Sequence, residues 1–356
     1  ERLAGAPAPV LLAAANAHGT AAGAGDLLRA ATRHARAHPA ARPAVVAAMS
    51  AALPTAIDYE RRYRLVDGIA THGDAAALRS LEAVLRGLRA GPQAAALRQV
   101  AIRGIASAPR PEAAGMVIAF AADPDPGVRL AALSALAGTG EDAAGAWHGP
   151  EGPAAIDRVL AAGLANDAWP EIRRRAAAAL GVRCQRPGPA GALAGAVAGD
   201  AVLDVRIDAL TALVQCKAPG VRELLARTWD DGKAPLPLRR QAVDLVAALG
   251  DPQLAAALVG KLGRWRGEAI ASAPALALAQ SAAAAIGRMA PPGAAQALIA
   301  ALDDSAFPEI VSAAALALGA LGPACPPAAK TKLAILARSG DQAAMAAKRA
   351  SLQCGR

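Results

Sequence analysis

The chain has 356 residues and a formal net charge of +9, and 54% of its residues are hydrophobic. That apolar fraction is ample for a core, but aromatic residues make up only 2%, which excludes a core built from large rings. Alternation with the period of two that is typical of strands is nearly absent. Alanine, the best helix former, dominates instead, so we expect many closely packed helices and almost no sheet.

The positive charge is concentrated near the N-terminus. Residues 1–110 hold 14 arginines and 7 acidic residues, whereas the remainder holds 24 basic and 22 acidic residues. A basic N-terminal third could face nucleic acid, an anionic membrane or an acidic protein. A solvated surface without a partner is the plainer alternative.

Apolar residues recur at helical spacing from residue 43 onward and predict nine helix pairs, each with a first helix (A) and a second helix (B). We expect residues 1–42 to form a helical N-terminal cap, 43–325 a repeat solenoid, and 326–356 a C-terminal capping helix pair. The predicted pairs are 43–53 with 58–71, 74–89 with 92–107, 111–122 with 126–138, 153–165 with 169–183, 189–198 with 201–216, 219–229 with 236–249, 252–262 with 270–288, 292–302 with 307–321, and 326–338 with 341–353.

A repeated motif opens four of the B helices. An apolar residue, an arginine and, three residues later, an alanine recur at intervals of 44, 33 and 33 residues, centred on Arg129, Arg173, Arg206 and Arg239. Six residues before the first three arginines stand Asp123, Asp167 and Asp200. A period of roughly 30–45 residues with two helical segments per unit is typical of an α-solenoid.

This pattern of an aspartate, a short turn, an apolar-arginine pair and then alanine and leucine resembles the HEAT-repeat family. It is similar to the short bacterial HEAT-like type known from phycobilisome lyases, over about residues 92–322. The resemblance implies an all-α, right-handed α-solenoid of about nine antiparallel helix pairs. Such a fold by itself says little about function.

The aspartates and arginines of the motif are expected to be structural. An aspartate in the turn between A and B can accept hydrogen bonds from free N–H groups where helix B begins. The arginine of helix B can reach the aspartate of its own turn or of the neighbouring turn. Repetition would give a structural ladder of Asp123, Arg129, Asp167, Asp200 and Arg206 rather than catalytic dyads.

The 44-residue interval contains an insertion, residues 138–153, that carries Trp147 and His148 among acidic residues. Insertions in solenoids emerge as loops, so we expect either a partner-contacting loop or a tolerated surface loop. A metal site is not expected, because the single histidine has no partners at ligand spacing.

Three other tryptophans, Trp169, Trp229 and Trp265, are predicted to lie in or beside A–B turns, along one edge of the solenoid. Tryptophan is enriched at interaction hot spots, which favours a partner-binding edge. The alternative is that the rings fill gaps between successive turns. Basic residues are expected near the same edge: Arg173, Arg174, Arg239 and Arg240.

The four cysteines lack the spacing of a zinc or redox motif. All four follow or end B helices of neighbouring pairs, where stacked chain segments come close enough for a bridge. We therefore predict two disulfides, Cys184–Cys216 and Cys325–Cys354, with chance placement as the alternative. The bridges would indicate a periplasmic or otherwise extracytoplasmic protein, with the cytoplasm as the alternative.

No phosphate-binding loop, zinc-protease motif or nucleophile elbow occurs, so we expect neither an enzyme nor a cofactor. The uncharged runs 269–287 and 310–329 contain prolines and are interpreted as buried helices rather than membrane spans.

The sequence is compatible with three functions. The first is a bacterial protein-interaction scaffold or subunit of a larger assembly. The second is a nucleic-acid-binding protein that uses the basic N-terminal third, which the absence of a catalytic cluster disfavours. The third, by fold analogy, is a lyase or chaperone for a cofactor-bearing protein.

Overall fold

The computed structural model describes residues 22–72, 75–88, 91–107, 111–137, 152–340 and 342–354. Within these ranges the regular structure is entirely helical and contains no strand, as predicted. Contacts group the chain into two compact units, residues 1–192 (unit 1) and 193–356 (unit 2).

The helices of unit 1 follow the predicted pairs closely. They are α1 (Ala22–Ala37), α2 (Arg42–Ala52), α3 (Tyr59–Ala70), α4 (Ala75–Gly87), α5 (Pro92–Ala106), α6 (Pro111–Ile118), α7 (Pro126–Ala137), α8 (Gly152–Asn166) and α9 (Pro170–Gly181). The boundary between the units falls within α10 (Pro187–Gly199).

Unit 2 continues the alternation of A and B helices. Its helices are α11 (Leu203–Gln215), α12 (Val221–Asp230), α13 (Leu236–Leu249), α14 (Pro252–Glu268), α15 (Ala273–Met289), α16 (Ala294–Ala301), α17 (Pro308–Ala320), α18 (Pro327–Leu336) and α19 (Ala344–Cys354). The fold is therefore an all-α solenoid of helix pairs. Its handedness and the domain boundaries after residues 42 and 325 stay predictions.

Each unit has two layers. In unit 1 the B helices α3, α5, α7 and α9 pack on one another in order, and α1 packs on α3 in the same layer. In unit 2 the B helices α11, α13, α15, α17 and α19 do the same. Apart from α10, at the boundary of the units, the A helices contact their own B helix and pack less closely on one another. The B layer is therefore the continuous core of each unit.

Small residues let the B helices approach closely. A Cβ atom added to Gly104 of α5 would lie 2.5 Å from the Cβ atom of Ala70 in α3. One added to Gly287 of α15 would lie 2.5 Å from the Cβ atom of Ala317 in α17. Backbones this close gain dispersion contacts without large side chains, which accounts for the alanine-rich, aromatic-poor composition.

The C-terminal helix pair carries one of the predicted disulfides. Cys325 and Cys354 are bonded across 29 residues with their Cα atoms 5.4 Å apart, and the bridge ties the segment after α17 to the end of α19. None of the described cysteines is a free thiol. The pairing of Cys184 with Cys216 would join residues of the two units and stays a prediction.

Candidate functional site

The motif aspartates close the A–B turns. Oδ1 of Asp123, Asp167 and Asp200 each accepts the backbone N–H two residues ahead, at 2.9, 2.9 and 2.8 Å. This local bond bends the chain just before helix B begins. The aspartate is therefore used by its own turn, whatever else it binds.

In unit 1 the motif arginine joins successive turns. Arg129 donates from Nε to Oδ2 of Asp167 at 2.7 Å and from Nη2 to Oδ1 at 3.0 Å, and Asp167 lies in the following turn. Its Nη1 donates to the carbonyl of Asp123 in its own turn at 2.9 Å. Arg98 makes the same connection one pair earlier, with Nη2 3.3 Å from Oδ1 of Asp123. The arginine thus reaches the neighbouring aspartate and its own turn's backbone.

The pKa of Asp167 reflects this arrangement. Burial alone would raise the pKa of this carboxyl, but the hydrogen bonds from Arg129 and from the N–H of Trp169 outweigh it, and the pKa lies below its usual value. The bond to Asp167 in turn raises the pKa of Arg129. Both groups are held in the charged form, as a structural ion pair requires rather than a catalytic acid.

Unit 2 closes its turns differently. Arg206 and Arg239 donate from Nε to the carbonyls of Val197 and Trp229, at 2.8 and 3.0 Å, in the A helix of their own pair. Further along, Arg266 near the end of the A helix α14 pairs with Asp304 in the following A–B turn. Arg222 lies 2.7 Å from Asp251 and connects the starts of the A helices α12 and α14, at the other end of the repeats.

The predicted aromatic edge is divided by burial. Trp169, just before α9, has 53% of its surface exposed, whereas Trp229 and Trp265 are 1% and 4% exposed and pack inside unit 2. Trp265 lies within α14, because that helix continues six residues beyond its predicted end. Burial of the latter two rings supports the packing alternative. Trp147 and His148 lie outside the described residues.

The basic residues predicted near that edge are mostly engaged in structural contacts. Nη1 of Arg173 donates to the carbonyl of Asp167 at 2.8 Å, which closes its own turn. Nε of Arg240 lies 3.3 Å from Oγ of Ser281 on the next B helix. Arg174 is exposed, and it too takes part in an interaction with another residue. These arginines therefore belong to the B layer and its turns.

A groove crosses the B helices of unit 1. This unit-1 groove has a volume of about 460 Å³ and lies across α5, α7 and α9, and its lining includes Gln99, Arg103, Gly127, Leu130, Ser134 and Arg175. Both charged groups among its described lining residues are guanidinium groups. Such a groove suits an anionic group beside an apolar one.

A second groove crosses the B helices of unit 2. This unit-2 groove has a volume of about 440 Å³ and lies across α13, α15 and α17, and its lining includes Arg240, Asp244, Ser281, Arg288, Glu309 and Leu316. Burial raises the pKa of Asp244, against the opposing charges of Arg288 and Arg240. The charges in this groove are of mixed sign.

A third cavity, of about 530 Å³, lies among α2, α3 and α4 in unit 1. Arg62 and Arg79 contribute to a lining that is otherwise rich in apolar residues, with a pair of serines, Ser50 and Ser80, whose hydroxyl oxygens are 2.6 Å apart. This cavity involves two A helices and is separate from the B-layer grooves.

The grooves were not among the predicted sites, yet several of the residues that line them stand at fixed distances after an arginine in the sequence. Residues one and five positions after two motif arginines line them: Leu130 and Ser134 after Arg129, and Arg240 and Asp244 after Arg239. Gln99 and Arg103 stand in the same positions after Arg98, which follows an apolar residue and precedes Ala101 by three in the same way. Residues four apart lie on one helix face. Collecting these positions across repeats identifies the grooved surface.

Within the described ranges, no group of three or more metal-binding side chains occurs. A search of the same ranges for helices able to cross a membrane finds none.

No protein-family model matches the sequence, and neither does any curated protein. Solved structures are similar in fold. The chain aligns over 96% of its length with Kap95p, from a structure of Kap95p binding RanGDP, at a TM-score of 0.64 and 15% identity. It aligns equally far with the karyopherin Kap121p bound to the C-terminus of the phosphatase Cdc14p, at 0.55 and 12%. The Kap95:Nup1 complex gives 0.56 and 12%.

The chain spans about half the length of these solved proteins, covering 50%, 45% and 50% of them respectively. At such low identity the likeness establishes the fold, a HEAT-like solenoid of helix pairs. Each of these solved structures is described as a complex with another protein.

Proposed function

We propose that the chain is a non-catalytic protein-binding scaffold that holds its partner against the B-helix grooves. The observation that carries this proposal is the pair of grooves, one across α5, α7 and α9 and one across α13, α15 and α17. Each combines apolar side chains with a few charged groups, the composition of a binding surface. The protein partners of the structural neighbours are consistent with it.

The contacts described in the turns favour binding over catalysis. The candidate acid–base residues there, such as Asp167 and Arg129, are held in their charged forms by one another. A general acid or base needs a pKa near the working pH and a free approach for its substrate. Side chains used by the turns meet neither condition.

Site-specific photocrosslinking in the native host tests the proposal. A photoreactive residue would replace Leu130 or Leu316 in the two grooves, Trp169 at the turn edge, or Gly260 on the A helix α14, whose position is open. We expect the groove positions to capture a discrete protein and the Gly260 position to capture none. Crosslinks from Trp169 alone would overturn the groove proposal in favour of the edge.

Nucleic acid is the second candidate, since the part of the unit-1 groove that the structure describes presents two arginines and no carboxylate in its lining. Phosphate binding releases counterions and therefore weakens steeply with salt. A mobility shift with duplex DNA that disappears as salt is raised would support this alternative. A lyase or chaperone role remains a hypothesis of fold analogy.

An extracytoplasmic location is proposed from the disulfides. The Cys325–Cys354 bridge joins two helix ends, and such bonds persist in oxidising compartments. Mass spectrometry of protein isolated from its native compartment with thiols blocked is the test. We expect two bridges, Cys184–Cys216 and Cys325–Cys354; four alkylated cysteines would refute both the pairing and the location.

A further inference from the structure

The unit-1 groove carries unopposed positive charge. Arg103 of α5 is exposed, and its side chain makes no hydrogen bond or ion pair with any described residue. Arg175 of α9 donates from Nε to Oγ of Ser134 at 2.8 Å, a bond that orients its guanidinium and leaves its two terminal amino groups unused by it. Two arginines on the first and third helices of one groove can therefore receive anionic groups.

An acidic side chain beside the groove is already used by the fold. Asp125 accepts the N–H of Val128 at 2.9 Å where α7 begins, and its Oδ1 lies 3.4 Å from Nε2 of Gln99. Its Oδ1 is therefore engaged by the start of α7 and by Gln99, and not by Arg103 or Arg175. A carboxylate from outside is the complement that these arginines lack, and guanidinium–carboxylate pairs are among the stronger polar contacts in proteins.

The lining that α7 contributes is largely apolar. It comprises Leu130, Ala131 and Ala135, here called the floor, together with Gly127 and with Ser134, whose hydroxyl group is bonded to Arg175. A volume of about 460 Å³ accommodates one or two side chains of a bound segment, not a folded domain. The ligand must therefore offer an apolar side chain with acidic groups on either side of it.

We propose that the unit-1 groove binds a linear protein segment in which carboxylate side chains flank an apolar residue. This inference rests on the proposed scaffold function and assigns its partner chemistry. The apolar residue occupies the floor over Leu130, and the flanking carboxylates pair with Arg103 and Arg175.

The lining favours such a segment over nucleic acid. Single-stranded nucleic acid is usually held by aromatic rings that stack on bases, and no aromatic side chain occurs among the described residues that line the groove. A duplex would need a row of phosphate contacts, whereas this groove offers two arginines on an apolar floor.

The test is a binding titration with fluorescent peptides of the type Glu-Glu-Leu-Glu-Glu-Leu on the full chain, next to the same peptide with Lys or Gln replacing Glu. We expect the Glu peptide to bind at least about tenfold tighter than the Gln peptide, and the Lys peptide not to bind. The double variant Arg103→Glu/Arg175→Glu should weaken binding by about 100-fold, since each lost charge-assisted contact is worth about a factor of ten.

The matched control reverses two arginines in the other groove. Arg240→Glu/Arg288→Glu makes the same charge change in unit 2 and should alter the affinity less than about threefold, because steering by distant charge is screened at physiological salt. Circular dichroism verifies that both variants keep their helix content. Equal weakening by both pairs of substitutions, or equal binding of the Glu and Lys peptides, would overturn the inference.

Two further outcomes would reassign the groove. Duplex or single-stranded DNA that displaces the Glu peptide at lower concentration than unlabelled peptide would assign it to nucleic acid. Tighter peptide binding by the variant Glu141→Gln/Asp142→Gln/Glu151→Gln would assign it to the chain's own acidic segment.

Crosslinks confined to Leu316 would leave the scaffold function standing and remove this inference, whereas no crosslinks at either groove would remove both.

Discussion

The two units contain the same repeat but connect its turns through different groups. In unit 1, Arg129 of a B helix bridges to the carboxylate of Asp167 in the next turn. In unit 2, Arg206 binds a backbone carbonyl of its own pair, and Arg266 of an A helix pairs with Asp304 instead. Connection of successive turns by an ion pair is therefore retained while the helix that supplies the cation changes.

The grooves differ in a parallel way. Among the described residues, the unit-1 groove is lined by two arginines and no carboxylate, whereas the unit-2 groove sets Asp244 and Glu309 beside its arginines. A repeat protein can therefore keep one backbone plan and vary charge at the groove positions. Buried positions preserve the stack, and groove positions are free to specify partners.

The largest expected effect distinguishes the two kinds of arginine. Arg129→Ala leaves the buried carboxylate of Asp167 without its two-point partner and should lower the free energy of unfolding by about 3–5 kcal/mol. Arg206→Ala removes a hydrogen bond to a carbonyl and should cost about 1 kcal/mol. Urea denaturation followed by circular dichroism measures both, and equal losses would show that the two connections are energetically alike.

The disulfide gives unit 2 a covalent restraint at its C-terminal end. Replacement of Cys325 and Cys354 by serine should cost about 2–4 kcal/mol, because the bridge closes a loop of 29 residues. We expect faster hydrogen exchange in α18 and α19 than in α13. Unchanged exchange in the last two helices would show that the bridge is not what holds them.

Close contacts between B helices should be equally sensitive in both units. Gly104→Ala and Gly287→Ala place a Cβ atom 2.6 Å from the Cα atoms of Ala70 and Ala317 respectively, and each should cost about 1–3 kcal/mol. The control is Gly260→Ala on α14, which meets no atom within 4 Å and should stabilise by up to about 1 kcal/mol. Thermal denaturation gives the sign of each change, and a stabilising Gly104→Ala would contradict the described packing.

The smallest expected effect concerns pH. The pKa of Asp167 is lowered, so its contribution to stability is present above the usual aspartate pKa of about 4 and is lost as pH falls through the folded value. The pKa of Asp244 is raised, so its charged form opposes folding as pH rises through the folded value.

Substitution by asparagine should therefore act in opposite directions in the two units. Asp167→Asn should destabilise at pH 7 and progressively less in acid. Asp244→Asn should stabilise at pH 7 by less than about 1 kcal/mol, since water and two arginines screen this half-exposed group. Denaturation at pH 3 and pH 7 separates them, and the same sign for both at pH 7 would refute the assignment of their environments.

Several features were determined by the sequence alone. Helical periodicity, the prolines at helix starts and the aspartate six residues before an arginine fix the A and B helices, because these are contacts between residues close in the chain. The positions of Cys325 and Cys354 at helix ends likewise follow from the helix boundaries that the sequence predicts. For these reasons the all-helical repeat and one bridge could be predicted.

The tertiary structure alone decided which residues meet across repeats. The sequence allowed Arg129 to reach the aspartate of its own turn or of the next, and stacking of α7 and α9 selected the next. It placed three tryptophans near one edge, yet burial separates Trp169 from the two packed rings. Contacts of this kind depend on how neighbouring helices are rotated against each other, a quantity that no local pattern specifies. The same rotation brings the residues one and five positions after Arg98 and Arg129 into the unit-1 groove, which is basic because Arg103 and Arg175 line it.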